Sequence, residues 1–184
     1  MVKYLQLIRL PNLLIIPFVQ YCMRFCIIEP MLRINGFELQ LSEWQFLALV
    51  LSTVFLAAAG YVINDYFDVK IDLINKPDSV IVSKSVPRRT AMAMHIVFNS
   101  LGIILGLYLV FIIKLYIIAL VYFIVAGLFW YYSTTYKRQF LVGNLVVAFL
   151  TFLVPLQVIL YEVVLLNNTY REFLLENNYN FNTI

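Results

Sequence analysis

The sequence predicts an all-α integral membrane protein built from about five transmembrane helices, and three observations carry that reading. Of the 184 residues 63% are hydrophobic and 12% charged, with a mean hydropathy of +0.89; a soluble domain averages about 45–50% apolar and about 25% charged. Uncharged runs cover 44–63, 91–113, 115–136 and 139–161, each long enough to cross the hydrocarbon core of a bilayer. The charges gather between these runs. The predicted helices are 5–28, 43–66, 87–112, 115–136 and 140–165, forming one transmembrane domain over 1–166.

The first helix has the weakest signal, because the apolar stretch 10–23 is broken by Pro11 and Pro17. It spans only by extending to Ile28, with Arg9 and Arg24 snorkelling to the interface or turned toward protein. No small-residue cleavage site follows it, so it reads as a retained helix rather than a signal peptide. Cys22 and Cys26, at i and i+4, are too far apart along one helix face for an unstrained disulfide and read as buried free thiols. The segment 29–43, with Pro30 and Gly36 among its charges, reads as an external loop.

The second helix is expected to close near residue 66, and Asn75-Lys76-Pro77-Asp78 marks a turn beyond it. Pro87 restarts a helix whose first turn carries Arg88 and Arg89, the unfavourable end of the macrodipole for cations. Anionic lipid headgroups or a substrate phosphate would account for them. His95 lies alone in an apolar run, with packing as its expected role. Lys114 separates the third and fourth spans as a tight hairpin. The fourth ends in Trp130, Tyr131 and Tyr132, an aromatic belt, before the basic Tyr136-Lys137-Arg138, and Gly143-Asn144 open the fifth. The tail 167–184 is polar and asparagine-rich, reads as leading toward a sixth helix that the sequence lacks, and holds a glycosylation-type triplet at Asn167-Asn168-Thr169.

Orientation follows from the cations. With the N-terminus in the cytoplasm, that side holds Lys3, Arg9, Lys70, Lys76, Lys84, Arg88, Arg89, Lys137 and Arg138, which the positive-inside rule favours.

Where the run 44–63 ends, the chain reads Asn64-Asp65-Tyr-Phe-Asp68-Val-Lys-Ile-Asp72. On a helix Asn64, Asp68 and Asp72 are successive i, i+4 neighbours, with Asp65 at the edge of the same arc. Like charges stacked this way cost a helix a few tenths of a kcal/mol per pair, so helix stability does not explain them. A hard cation would reverse the sign of that term, and magnesium is commonly held by one or two carboxylates with waters and substrate phosphate. A solvated helix end meeting lipid headgroups is the alternative. No P-loop, dinucleotide loop or nucleic-acid patch is visible, and nucleic acid is not an expected partner.

These residues carry a family resemblance. Asn64-Asp65-x-x-Asp68-x-x-x-Asp72 followed by Asn75-Lys76-Pro77, then Tyr132-Ser133-x-x-Tyr136-Lys137-Arg138 with Gly143-Asn144, and the opening Arg9-Leu10-Pro11-Asn12, resemble the UbiA superfamily of intramembrane prenyltransferases. The resemblance implies a helical bundle of about nine helices when complete, with a cavity opening to the cytoplasm. It implies Mg2+ as cofactor, and a prenyl diphosphate, a lipid-soluble acceptor and membrane lipids as partners. Carried over by position, Asn64, Asp68 and Asp72 would bind metal and act catalytically, with Asp65 beside them. Tyr132, Lys137, Arg138 and Asn144 would contact diphosphate or shape the cavity. The acceptor would be a quinone-precursor ring or geranylgeranylglyceryl phosphate, the latter favoured by Asp-Val-Lys-Ile-Asp and Tyr-Lys-Arg.

Two departures qualify the likeness. Ser79-Val80 stands where many members carry Arg-Pro, leaving Lys84 or Arg88 as substitutes, and none of the ten acidic residues forms a second Asp cluster. The expectation is therefore an N-terminal part of a prenyltransferase, inactive alone, with the missing C-terminal part a possible separate chain. A cation transporter or channel segment and a non-catalytic membrane scaffold are the readings from other classes. Against a channel, the acidic ridge sits at a helix end rather than at the midplane.

Overall fold

The computed structural model describes residues 2–171. These described residues form seven α-helices: α1 (Val2–Leu7), α2 (Leu10–Cys22), α3 (Glu29–Ile34), α4 (Glu43–Asn75), α5 (Arg88–Ile113), α6 (Ala119–Thr134) and α7 (Val142–Thr169). Among them five stretches are long and apolar enough to cross a membrane: Leu10–Ile34, Glu43–Asn75, Arg88–Ile113, Tyr116–Thr134 and Val142–Arg171. The fold class is thus the expected one. The tail beyond Arg171 lies outside the described residues.

The first span differs most from expectation. The predicted helix 5–28 breaks at Arg9, whose φ is 53°, and α2 starts with Pro11 in its first turn, where its missing N–H is not needed. A π-helical turn, Met23–Ile28, then joins α2 to α3, so helix continues to Ile34 through the first part of the segment expected to be loop. Pro30 stands at the start of α3, again a position that tolerates proline. Arg24 faces protein and is buried: its Nη2 donates to the Leu41 carbonyl at 2.6 Å and to the Glu43 carboxylate at 2.8 Å. Its Nε and Nη1 have no hydrogen-bond partner among the described residues, and the guanidinium lies 4.4 Å from the centre of the Phe46 ring, an attraction that offsets part of the desolvation cost. Cys22 and Cys26 are free as expected but not buried: Cys22 is half-exposed and Cys26 exposed, because this turn spends its inward position on Arg24.

The spine of the bundle is α4. Ser42 caps it in a reciprocal capping box with Gln45, and it runs for 33 residues, nine past the expected end at 66. No breaker occurs before Asn75-Lys76-Pro77, and the last turns still bury Val69 beside Leu7, Val82, Val86 and Ala91. The loop after α4 turns at Ser83 (φ 75°) and tucks Val80, Val82 and Val86 inward.

Small residues let α5 approach closely. Gly102 and Gly106 form a G-x-x-x-G pair, the spacing that brings membrane helices together. A Cβ on Gly102 would lie 2.7 Å from Leu56 of α4, and one on Gly106 2.3 Å from the Tyr122 ring of α6. Ser52 donates to the Gly102 carbonyl at 2.6 Å, and His95 Nδ1–H to the Ala59 carbonyl at 3.0 Å, so the histidine is packing glue as expected. Lys114 (φ 59°) makes the hairpin to α6. Polar groups hold α7: Gln157 donates to Thr53 Oγ1 at 2.5 Å, Gln20 donates to the same oxygen at 3.2 Å, and the buried Glu162 accepts from the Gln40 and Leu41 N–H groups.

Gly102→Val should force α5 away from Leu56 and cost about 1–3 kcal/mol, the range for overpacking a tight contact. Thermal unfolding of the detergent-solubilised protein followed by circular dichroism measures it; an unchanged midpoint would show that this contact does not limit stability.

Candidate functional site

The acidic ridge occupies the last turns of α4, with Asn64, Asp65, Asp68 and Asp72 all half-buried. Two other elements reach it. The 3-10 turn Tyr136–Arg138, between α6 and α7, brings Lys137 Nζ onto Asp68 Oδ1 and within 3.4 Å of Asn64 Oδ1. That turn is held from behind by α7, since a Cβ on Gly143 would lie 3.0 Å from the Tyr136 carbonyl oxygen. From the other side, Arg9 at the α1–α2 break donates to Asp65 Oδ1 at 3.0 Å and lies 5.2 Å from the Tyr61 ring. The Asp72 carboxylate makes no ion pair or hydrogen bond among the described residues.

Below the ridge is a cavity of about 490 Å³, within the size range of small-molecule sites. Five of its polar residues, Arg9, Asn12, Tyr61, Asn64 and Tyr132, lie at the ridge end of their helices; Ile16, Val19, Ala57 and Val154 lie one to three turns deeper, with Thr151 of α7 the one polar residue among them. A second, apolar cavity of about 130 Å³ between α4, α6 and α7 shares Ala57, Phe129, Leu150 and Val154 with the first. Phe129 stands at this junction because Gly60 lets its ring lie on the α4 backbone: a Cβ there would come within 2.4 Å of Phe129.

The structure thus gathers Asn64, Asp65, Asp68, Tyr132 and Lys137, with Asp72 one turn beyond Asp68. Arg138 and Asn144 are exposed and line neither cavity. Lys84 donates to the Pro77 carbonyl at 2.7 Å, and Arg88 lies 4.4 Å from the Tyr66 ring, so the two proposed stand-ins for the missing arginine have local partners. Arg9, Asn12 and Tyr61 were assigned no site role from the sequence. The signal was present in Arg9-Leu10-Pro11-Asn12, where a proline just after an arginine marks a helix start.

The donor set is hard oxygen. Among the described residues no three His, Cys, Asp or Glu side chains converge as a closed metal cage. An open edge of Asn64, Asp68 and Asp72 nevertheless fits magnesium, which keeps waters and shares its coordination with phosphate rather than demanding an all-protein cage.

Comparison with known proteins decides the lineage. Residues 36–164 match the UbiA prenyltransferase family. The chain belongs to that family. Among its relatives, the digeranylgeranylglyceryl phosphate synthase of Sulfurisphaera tokodaii is 39% identical over 58% of this chain and 38% of its own length. The synthase of the same name from Methanococcus maripaludis is 34% identical over 80% of this chain and 48% of its own. The chain therefore spans less than half the length of these UbiA relatives. A solved structure from work on the biosynthesis of digeranylgeranylglyceryl phosphate synthase in membranes superposes with a TM-score of 0.68 at 26% identity, over 86% of this chain and 52% of that one.

The Lys137 and Asp68 side chains are 14% and 17% exposed, between the surface regime, where an ion pair contributes about 0–1 kcal/mol, and the buried one, where removing a partner costs about 3–5. Lys137→Ala should therefore lower stability by about 1–3 kcal/mol, and Lys137→Met combined with Asp68→Leu should recover most of it. A double-mutant cycle by chemical denaturation in detergent measures the coupling; strictly additive losses would show that the pair does not tether the turn to α4.

Proposed function

We propose that this chain provides the donor half of a prenyl-transfer site, binding a prenyl diphosphate with Mg2+ at the ridge and its apolar chain in the cavity beneath. The complete reaction is transfer of geranylgeranyl to geranylgeranylglyceryl phosphate, the chemistry that the names of the relatives imply. The observation that supports this reading is the contact of Lys137 with Asp68 and Asn64 at the polar end of the cavity, which puts two distant sequence motifs on one prospective ligand. The excess of lysine and arginine on this end supports a cytoplasmic orientation.

Asn64, Asp68 and Asp72 would hold the metal, with Asp65 kept beside them by Arg9. Bound magnesium would neutralise charge on the diphosphate as it leaves. Lys137, released from Asp68, donates to diphosphate oxygens, and Arg138 and Asn144 lie near enough in sequence to join it. Tyr132 lines the ridge end of the cavity and Phe129 its inner junction, where aromatic rings favour an allylic cation. The C–O bond of the donor breaks with its electron pair leaving on diphosphate. The acceptor hydroxyl oxygen then forms the new ether bond and loses its proton to solvent. Donors aimed at the developing charge carry the rate enhancement.

Because the sequence holds no second Asp cluster, the leaving group would meet carboxylate-bound metal from one side only, and the chain alone should bind donor without turning it over. Helices beyond these 184 residues would supply the other side. The purified chain in lipid nanodiscs should bind geranylgeranyl diphosphate in a magnesium-dependent way, weakened at least about tenfold by Asp68→Ala, the loss expected for a charge-assisted contact. Adding geranylgeranylglyceryl phosphate should yield no product by mass spectrometry. Absence of magnesium-dependent binding refutes the donor site; robust product refutes the dependence on a second half.

A further inference from the structure

The two cavities adjoin, offering an extended apolar chain one path. They share Ala57, Phe129, Leu150 and Val154, and together they run from Asn64 to Thr53 along α4, about 16 Å at the helical rise per residue. The walls of the inner part are mostly apolar, including Leu56, Val125, Leu153 and Leu160, and the polar Thr53 and Gln157 that line it are hydrogen-bonded to each other. Its far end is closed differently. There the Tyr122 and Tyr161 hydroxyls meet at 2.8 Å, both side chains buried, one from α6 and one from α7.

This closure is rigid for two reasons. The two hydroxyls share one hydrogen bond, so an apolar chain passing between them would break it and leave two buried polar groups without that partner. The Tyr122 ring also has no retreat, because it lies against the bare backbone of Gly106, where even a Cβ would come within 2.3 Å of it. The position of the floor is therefore set by the ring and by the absence of a side chain behind it.

We infer that the Tyr122–Tyr161 pair is the stop for the distal end of the prenyl chain, so that it determines which donor length this protein accepts. This rests on the donor site proposed above. Substitutions on the two sides of the Tyr122 ring should then move the preference in opposite directions. Tyr122→Ala deepens the path and should raise the affinity for geranylfarnesyl diphosphate relative to geranylgeranyl diphosphate by about tenfold, consistent with burying one more isoprene unit. Gly106→Ala pushes the ring into the path and should shift preference toward farnesyl diphosphate by a similar factor.

The test is competition of these three diphosphates against radiolabelled geranylgeranyl diphosphate, with the full chain in nanodiscs and magnesium present. Opposite shifts in the two variants support the stop, since a general loss of fold would weaken all three ligands alike. Unchanged preference in both Tyr122→Ala and Gly106→Ala, with geranylgeranyl diphosphate still bound, overturns the stop and leaves the donor site standing. No binding of any prenyl diphosphate by the wild type overturns both.

Discussion

Everything in this structure depends on α4 being continuous. A membrane-spanning segment must satisfy its backbone internally, and the economical solution would end the helix where the apolar run ends, near Ile63. Instead α4 continues to Asn75, so the residues that bury against α5 and those that form the ridge belong to one rigid body. Asn64 and Asp68 are held in register with Gly60 and Ala57 by helix hydrogen bonds alone. The ridge is therefore placed over the cavity by the same element that forms the cavity wall.

The two ends of the bundle use charge in opposite ways. At the ridge, half-buried carboxylates meet Arg9 and Lys137 from separate segments, contacts that water can replace. At the other end Arg24 and Glu162 are both withdrawn from solvent and both grip the short connection before α4, one through the Leu41 carbonyl and the other through the Leu41 and Gln40 amides. Buried charges of this kind are costly to disrupt once a partner is lost. The bundle is thus fastened at one end and exchangeable at the other.

The sequence carried the five spans and the ridge because both rest on local signals: long apolar runs, and a helical spacing of carboxylates that no packing argument explains. The aromatic and basic residues after the fourth span were legible only through their resemblance to a family pattern, since belts and basic loops are common at any membrane surface. What could not be read was whatever depends on contact between distant segments. The pairing of Arg9 with Asp65, the inward turn of Arg24 at a π-helical step, and the seating of Phe129 on Gly60 each need two helices in place. The extra turns of α4 were missed for a similar reason: acidic residues look like a helix end until the cations that offset them are known.

Lys137 gives the ridge one further property. Its ammonium already rests on Asp68 and near Asn64, so the protein carries its own monovalent counter-ion where a divalent one would bind. In the proposed site, magnesium binding would then be an exchange rather than a simple filling: the incoming cation would compete with a tethered one whose effective concentration is fixed by the short turn between α6 and α7. A ligand that brings its own negative charge favours the exchange by giving the displaced ammonium a new partner. In that proposed site metal alone would gain less from the ridge than metal arriving with an anion, and the coupling between them would be written into the length of one loop.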